Sequence, residues 1–315
     1  MIRPPNFACL KDYVERLDDG DFWSPYLAKI RARQDLATAG DTTPAGRGAT
    51  YPTFLCGDLV IKLFGGPGPW RQAHAAERAA YDRLVTDDGS DPWIAAPRLL
   101  GEGRLFEVEG APWPYLVTSR LPGIAVSQVD LTDDQRVALA VELGRQVRSL
   151  HRLAPTGLAT LEAWPAFDLT AGLARSSLPP QLAVQTEAFL AKLSPFERVF
   201  THGDLTASHV FLLEGRFAGI IDWGDALAAD RHMELIQPYR DLFACDKALF
   251  RAFLEASDWP VGRDFDRKTL GLALIRQAVG AAQHHAMDVF EPIAQRYPLA
   301  EIATLDELAA ELFAV

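Results

Sequence analysis

The sequence predicts a bilobal α+β protein, with a small N-terminal lobe built on a β-sheet and a larger, mainly helical C-terminal lobe. The chain has 315 residues, more than one compact core needs. Its first part predicts the order strand, strand, helix, and most of its second part has helical periodicity. These two observations place the N-terminal lobe at residues 1–122 and the C-terminal lobe at residues 123–315.

The N-terminal lobe is predicted from a hairpin and the helix that follows it. Residues 1 to about 40 show helical spacing. Residues 51–64 are rich in β-branched and aromatic side chains around a Gly-Asp turn, which indicates a β-hairpin with Lys62 in its second strand. A helix is expected over 71–85, and two further strands over 98–102 and 114–120.

The C-terminal lobe is predicted from one capping box and a run of helical segments. Thr132, with Gln135 three residues later, favours a helix start that continues to Leu150. The segment from Val199 to Trp223 is expected to form a loop, a strand over 210–213, a turn and a second strand ending at Asp222. Later helices are expected over 268–287 and 305–313.

Composition excludes several classes of function. A net charge of -11 disfavours binding to nucleic acid or to an anionic membrane and would attract cationic small molecules. The three cysteines (Cys9, Cys56 and Cys245) fit neither a disulfide framework nor a zinc site, so a reducing cytoplasm is expected. The N-terminus predicts no secretory signal, and nothing specifies an oligomeric state.

Two acidic motifs carry the chemistry. The first is Thr201-His-Gly-Asp-Leu-Thr-Ala-Ser-His209, and the second is Ile221-Asp-Trp-Gly-Asp225. Phosphoryl transfer needs one carboxylate to orient or deprotonate the acceptor hydroxyl and others to hold magnesium on the phosphates. The predicted hairpin between the motifs would bring Asp204 and Asp222 together. Taken singly, Asp204 would be a turn residue and Asp222 a helix cap or turn residue.

Together these motifs resemble the aminoglycoside phosphotransferase family, and the resemblance extends over roughly residues 45–240. It implies a protein-kinase-like fold and an ATP-dependent enzyme of the antibiotic-resistance class. By this resemblance Asp204 is the catalytic base, Asp222 is a magnesium ligand and His202 shapes the catalytic loop. ATP and Mg²⁺ are the implied cofactors, with ATP between the two lobes.

The resemblance also assigns the nucleotide contacts. Lys62 matches the lysine that contacts the α- and β-phosphates, and Glu77 on the following helix is its expected ion-pair partner. Without the downstream motifs, both would be read as solvated side chains. The segment 46–53 takes the place of the phosphate-covering loop. The Ser119 carbonyl and the Leu121 N–H are the expected hinge groups for adenine, with an edge strand ending at proline as the alternative.

His209 departs from the family pattern. Relatives mostly have Asn five positions after the catalytic Asp, whereas this chain has a poorer magnesium ligand there, as some hygromycin-type members do. If His209 ligates the metal, Mn²⁺ would support turnover relatively well. Alternatively, His209 orients Asp204 while water fills the coordination position, or the protein binds nucleotide with little catalysis.

The expected reaction is O-phosphorylation of an aminoglycoside or aminocyclitol, with hygromycin-like compounds first. The expected partner is therefore a hydroxylated, cationic small molecule. Asp241 and three other acidic residues of the C-terminal region are candidates for lining a polycationic site, although solvated helix faces explain them equally well. The alternatives are a kinase for a sugar, amino alcohol or macrolide, and a nucleotide-binding module.

Overall fold

The chain divides into two compact units in the computed structural model, which describes residues 2–36, 40–46, 49–84, 93–108, 110–161, 166, 168–282 and 288–315. The N-terminal unit comprises Met1–Asp87, Ala95–Pro122 and the returning segment Gly219–Asp225. The C-terminal unit comprises Asp88–Ile94, Gly123–Ala218 and Ala226–Val315. Within both units, an α+β fold with an N-terminal antiparallel sheet and a helical C-terminal part confirms the predicted fold class.

The N-terminal unit is built on a five-stranded antiparallel sheet with the order β1-β2-β3-β5-β4. Its strands are β1 (Thr42–Pro44), β2 (Thr53–Cys56), β3 (Leu59–Leu63), β4 (Leu99–Arg104) and β5 (Pro114–Ser119). The predicted hairpin is β2–β3, and its register sets Lys62 opposite Thr53 on one side and Leu116 on the other. Ile61 and Leu63, which flank Lys62, are fully buried, so strand alternation turns Lys62 to the opposite face.

Three helices belong to this unit: α1 (Leu10–Arg16), α2 (Gly20–Arg33) and α3 (Trp70–Leu84). The Asp19 side chain caps α2 by accepting a hydrogen bond from the Phe22 N–H at 2.9 Å. Trp23 and Ile30 of α2 are fully buried and pack with Phe54 and Tyr115 of the sheet in one core. This core fixes the sheet that carries Lys62.

The C-terminal unit is mainly helical. Its helices are α4 (Asp133–Arg152), α5 (Leu169–Leu173), α6 (Pro180–Ala183), α7 (Thr186–Leu190), α8 (Lys247–Ala256), α9 (Phe265–Ala282), α10 (Glu291–Ala294) and α11 (Leu305–Phe313). The capping box predicted at Thr132 and Gln135 is present at the start of α4. Helix α9 lies at the centre, because α5, α7 and α11 all pack against it.

Two short sheets complete this unit and flank the first acidic motif. Strand β7 (Arg198–Thr201) pairs antiparallel with β10 (Leu227–Asp230). The second sheet has the order β6-β8-β9, formed by Ile124–Ala125, Val210–Leu213 and Arg216–Ile220, and the last two residues of β9 begin the returning segment of the N-terminal unit. The motif therefore begins at the end of β7 and runs into β8.

Four of these strands differ from the sequence expectation. The segments of β1, β6, β7 and β10 were expected to be loop, linker or helical. Strand β10 has the sequence Leu-Ala-Ala-Asp, and alanine has low strand propensity, so no local signal marks it. Tertiary pairing with β7 decides its conformation.

The described part of the chain contains no helix that is both long and apolar enough to cross a membrane. Cys9, Cys56 and Cys245, all among the described residues, form no disulfide.

Gly123 gives a test of the backbone path into β6. Its φ is +94°, and an added Cβ would lie 2.0 Å from the Leu212 carbonyl oxygen. Gly110 is a matched control, because its φ is +85° and an added Cβ meets nothing within 4 Å. We expect Gly110→Ala to cost about 1 kcal/mol from backbone strain alone. Gly123→Ala should cost about 2 kcal/mol more from the clash. Denaturant unfolding of both variants measures this, and equal losses would contradict the close approach.

Candidate active site

Lys62 is held between two carboxylates in the N-terminal unit. Its Nζ donates to Glu77 Oε2 of α3 at 2.7 Å and to Asp222 Oδ1 of the returning segment at 2.8 Å. The side chains of Lys62 and Glu77 are 13% and 5% exposed, whereas that of Asp222 is 40% exposed. One ammonium group therefore joins a strand, a helix and a loop.

The electrostatics of this triad favour a charged lysine. Burial acts to lower the pKa of Lys62, but the charges of Asp222 and Glu77 outweigh it, so the pKa lies well above its ordinary value. Burial raises the pKa of the Glu77 carboxyl, and the neighbouring ammonium opposes that rise. Removing the Lys62 ammonium would leave the buried Glu77 carboxylate without a compensating charge, which is strongly destabilising.

A tight turn positions Asp222. Its φ is +62°, in the left-handed region, directly after strand β9 ends at Ile220. The following residues form a 3₁₀ turn, Trp223–Asp225, in which Trp223 is fully buried. An added Cβ on Gly224 would lie 3.4 Å from Asp222 Oδ1, at ordinary van der Waals contact, so Gly224 packs beside this carboxylate.

The loop that carries Asp204 is shaped by backbone hydrogen bonds in the C-terminal unit. The Asp204 N–H donates to His202 Nδ1 at 3.2 Å, and His202 is fully buried. The His202 N–H in turn donates to Glu234 Oε2 at 2.7 Å. Gly203, between them, has a φ of +84°. These contacts fix the turn from which the Asp204 side chain emerges.

Glu234 lies beneath this loop as a nearly fully buried carboxyl. Burial raises its pKa to about 7, against the lowering effects of the His202 N–H and the Arg276 charge. The proximity of Asp204 adds to the rise. Glu234 therefore changes its charge near neutral pH.

Two residues that sequence reasoning missed hold the Asp204 carboxylate. Gln237 Nε2 donates to Asp204 Oδ1 at 2.7 Å, and Arg276 Nη2 donates to the same oxygen at 3.0 Å. Arg276 Nη1 also donates to the Gly203 carbonyl. A sequence signal for Arg276 exists, because it stands in the otherwise apolar run Leu-Ala-Leu-Ile-Arg of α9, and a buried arginine requires a partner. No comparable signal marks Gln237.

His209 is turned toward the backbone of the same loop. Its Nδ1 lies 2.8 Å from the Asp204 carbonyl oxygen, so this nitrogen carries the hydrogen and donates it. The same atom lies 3.5 Å from Asp204 Oδ2. In that tautomer the ring lone pair is on Nε2. The geometry fits an orienting residue, and metal ligation through Nε2 stays a prediction.

The two groups of site residues belong to different units. Lys62, Glu77 and Asp222 lie together in the N-terminal unit, and Asp204 and His209 in the C-terminal unit. Their assigned catalytic, nucleotide and metal roles, and the closeness of Asp204 to Asp222, stay predictions.

The expected hinge and phosphate loop lie in the N-terminal unit. Ser119 ends β5, where its N–H donates to the Arg98 carbonyl at 2.9 Å, and Leu121 follows the strand. Their contact with adenine stays a prediction. The expected phosphate-covering segment 46–53 includes residues 47–48, which are outside the described residues.

The described part of the chain offers few grouped oxygen donors for a magnesium ion. Among the described residues, no three or more His, Cys, Asp or Glu side chains are grouped so as to hold a metal ion. A partly exposed carboxylate at Asp222 is nevertheless the donor type that Mg²⁺ takes when phosphates and water supply its other ligands. The donor chemistry thus fits an ion that arrives with a nucleotide.

The chain is similar to known proteins in both sequence and fold. Residues 41–265 match the profile of the APH family, described as the phosphotransferase enzyme family. The aminoglycoside 3'-phosphotransferase of Streptomyces fradiae is 29% identical over 218 residues, covering 59% of this chain and 76% of the relative. The solved GDP and kanamycin complex of APH(2")-IIia has a TM-score of 0.62 at 17% identity, covering 88% and 97% of the two chains. APH(3'')-Id from Streptomyces rimosus, solved with ADP and streptomycin, has a TM-score of 0.52 at 23% identity, covering 81% and 98%.

Glu234 gives a pH prediction. Its folded pKa of about 7 lies above the ordinary value of 4.5, so the folded protein binds this proton more tightly than the unfolded chain. The stabilisation is complete below pH 4.5 and is lost as pH rises through about 7. Relative to Glu234→Gln, the wild type should lose about 3 kcal/mol of unfolding free energy across this window. Denaturant titrations from about pH 5 to about pH 8 measure the difference, and a pH-independent difference would refute the assignment.

Proposed function

Because this chain belongs to the APH phosphotransferase family, we propose that it transfers the γ-phosphate of ATP to a hydroxyl group of an aminoglycoside or aminocyclitol. The chain is a small-molecule kinase, and the proposal concerns its donor, its acceptor and its working residues. Hygromycin-like compounds are the first acceptors to test. Kinase activity on a sugar, amino alcohol or macrolide is the competing assignment.

The observation that carries the proposal is the Lys62 triad. A lysine that stays charged in a buried position, with its carboxylate partners on separate elements, suits a phosphate-binding cation. In this proposal Lys62 contacts the α- and β-phosphates, Glu77 holds it in place and Asp222 contributes an oxygen to Mg²⁺. Solved relatives contain either guanine or adenine nucleotides, so both ATP and GTP belong in the assay.

Asp204 is assigned as the catalytic base. Its side chain is 23% exposed, so an acceptor hydroxyl can approach it. In the reaction the acceptor oxygen bonds to the γ-phosphorus, the bond from that phosphorus to the bridging oxygen breaks, and the acceptor proton passes to Asp204. Lys62 would stabilise the negative charge on the departing nucleoside diphosphate, and Asp222 would hold a Mg²⁺ ion that supplies further charge stabilisation there.

The position and charge of Asp241 favour an acceptor that is cationic. It lies in the π-helical turn Pro238–Leu242, its side chain is 22% exposed, and it interacts electrostatically with Asp204. Burial raises the pKa of its carboxyl, with Arg240 opposing the rise from 3.3 Å. An ammonium group of the acceptor would offset this burial cost. Aminoglycosides such as the kanamycin, gentamicin and streptomycin bound by solved relatives carry such cationic groups.

The catalytic assignment is tested with Asp204→Asn. This change keeps the shape and an acceptor oxygen but removes the base, so kcat should fall by about 10²- to 10⁴-fold while nucleotide affinity is retained. The measurement is coupled nucleoside diphosphate release with ATP and GTP across aminoglycosides, sugars, amino alcohols and macrolides. Near-normal turnover by folded Asp204→Asn would overturn the assignment. Preference for a sugar, amino alcohol or macrolide over every aminoglycoside would favour the competing assignment.

The acceptor assignment is tested with Asp241→Asn. Losing the carboxylate should raise KM for a cationic acceptor by about tenfold, with kcat and nucleotide KM changed little. Asp258→Asn is the matched control for net charge, because Asp258 is an exposed residue whose carboxylate pairs with Arg148 at 3.1 Å. If both variants raise acceptor KM equally, Asp241 has no specific contact with the acceptor.

A further inference from the structure

Both donors on Asp204 converge on a single carboxylate oxygen. Gln237 and Arg276 approach Oδ1 at 2.7 Å and 3.0 Å. A carboxylate oxygen offers two lone-pair directions, so these two hydrogen bonds saturate Oδ1. No described residue donates a hydrogen bond to Oδ2, since His209 Nδ1 is 3.5 Å away and donates to the Asp204 carbonyl instead. The two oxygens are therefore not equivalent.

Arg276 ties the carboxylate to its own loop. One guanidinium nitrogen donates to Asp204 Oδ1, and the other donates to the Gly203 carbonyl, one residue earlier in the chain. The guanidinium is a rigid planar fork, so these two contacts together restrict the rotation of the Asp204 side chain. A lysine in this place would offer one nitrogen where arginine offers two.

Both donors come from well-packed surroundings. Gln237 is 1% exposed and precedes the π-helical turn Pro238–Leu242, and Arg276 is 8% exposed in the middle of α9. The residues before Arg276, Leu274 and Ile275, are fully buried. Donor side chains that packing prevents from moving hold their acceptor in one geometry. In addition, π-helical turns occur frequently at functional sites.

We propose that Arg276 and Gln237 are positioning residues that occupy Oδ1 of Asp204 and so reserve Oδ2 for the acceptor hydroxyl. This inference rests on the proposed role of Asp204 as the base. Oδ2 receives the acceptor proton as the acceptor oxygen bonds to the γ-phosphorus and the nucleoside diphosphate leaves. Without the two donors the carboxylate rotates between orientations, and few of them meet the acceptor.

A purely structural role for Arg276 is the competing explanation, and the chain offers a matched control for it. Lys268 lies on the same helix, is 8% exposed, and forms another buried ion pair with Asp230 at 2.8 Å. Lys268→Met therefore removes a buried ion pair from α9 without touching Asp204. It should lower the melting temperature and leave kcat per folded molecule unchanged.

The test compares steady-state kinetics of Arg276→Ala, Arg276→Lys, Gln237→Leu and Lys268→Met below their melting transitions. We expect kcat to fall by about 10²-fold in Arg276→Ala and about tenfold in Arg276→Lys and Gln237→Leu, with nucleotide KM within about threefold of wild type. Added guanidinium at tens of millimolar should partly restore kcat to Arg276→Ala only. Equal kcat in Arg276→Ala and Lys268→Met would overturn the proposal. If Arg276→Ala does not fold, Arg276→Lys and Gln237→Leu decide the matter.

A second measurement separates this inference from the proposed function. Crystal structures of wild type and of the Arg276 variants, grown with nucleotide, report the Asp204 side-chain orientation without any acceptor. One orientation in the wild type and several in the variants supports positioning, and an unchanged single orientation in the variants overturns it. Absence of transfer by the wild type to every acceptor would instead overturn the proposed function.

Discussion

A charged side chain that leaves water needs a partner, and this constraint organises the candidate site in both units. Lys62 is buried against two carboxylates in the N-terminal unit, and Arg276 is buried against Asp204 in the C-terminal unit. Asp222 pairs with Lys62 from 160 residues away, and Arg276 is 72 residues from Asp204. The packing of helices and sheets therefore fixes where these paired side chains lie, and the ion pairs hold their charged atoms in place.

The same constraint has a different outcome at Glu234, whose main partners are backbone N–H groups. Backbone donors stabilise the ionised carboxyl less than a direct contact with a full positive charge would, so burial dominates and the pKa rises to about 7. This carboxyl accepts the N–H of His202, which in turn accepts the N–H of Asp204. The charge state of one buried group is thereby connected through two hydrogen bonds to the backbone of the loop that carries Asp204.

Sequence alone predicted the elements whose signals are local. The β2–β3 hairpin, α3, the capping box of α4 and the limits of α11 all follow from periodicity or cap residues within a short window. The acidic motifs predicted Asp204 and Asp222 as site residues because each motif is a contiguous stretch of sequence. The similarity to hygromycin-type proteins in particular stays a prediction.

The features that sequence reasoning did not predict depend on distant contacts. Strands β7 and β10 pair with each other, and the Leu-Ala-Ala-Asp sequence of β10 has no pattern of its own that requires a strand. Gln237 and Arg276 reach Asp204 from 33 and 72 residues away. A buried arginine in an apolar helix indicates that a partner exists, but the sequence does not indicate which residue it is. Only the packing of α9 identifies Asp204 as the partner of Arg276.

The arrangement around Asp204 also bears on the proposed cationic acceptor. Arg276 is committed to Oδ1 and to the Gly203 carbonyl, so its charge is not directed at Oδ2. Asp241 interacts with the same carboxylate as a second negative charge, and the burial of Asp241 raises its pKa. An acceptor that brings an ammonium group next to its hydroxyl would favour the ionised form of Asp241 and reduce the repulsion between the two carboxylates. Recognition of charge and orientation of the hydroxyl would then be served by neighbouring groups of one acceptor, with Asp241 holding the cation and Oδ2 of Asp204 the reacting group.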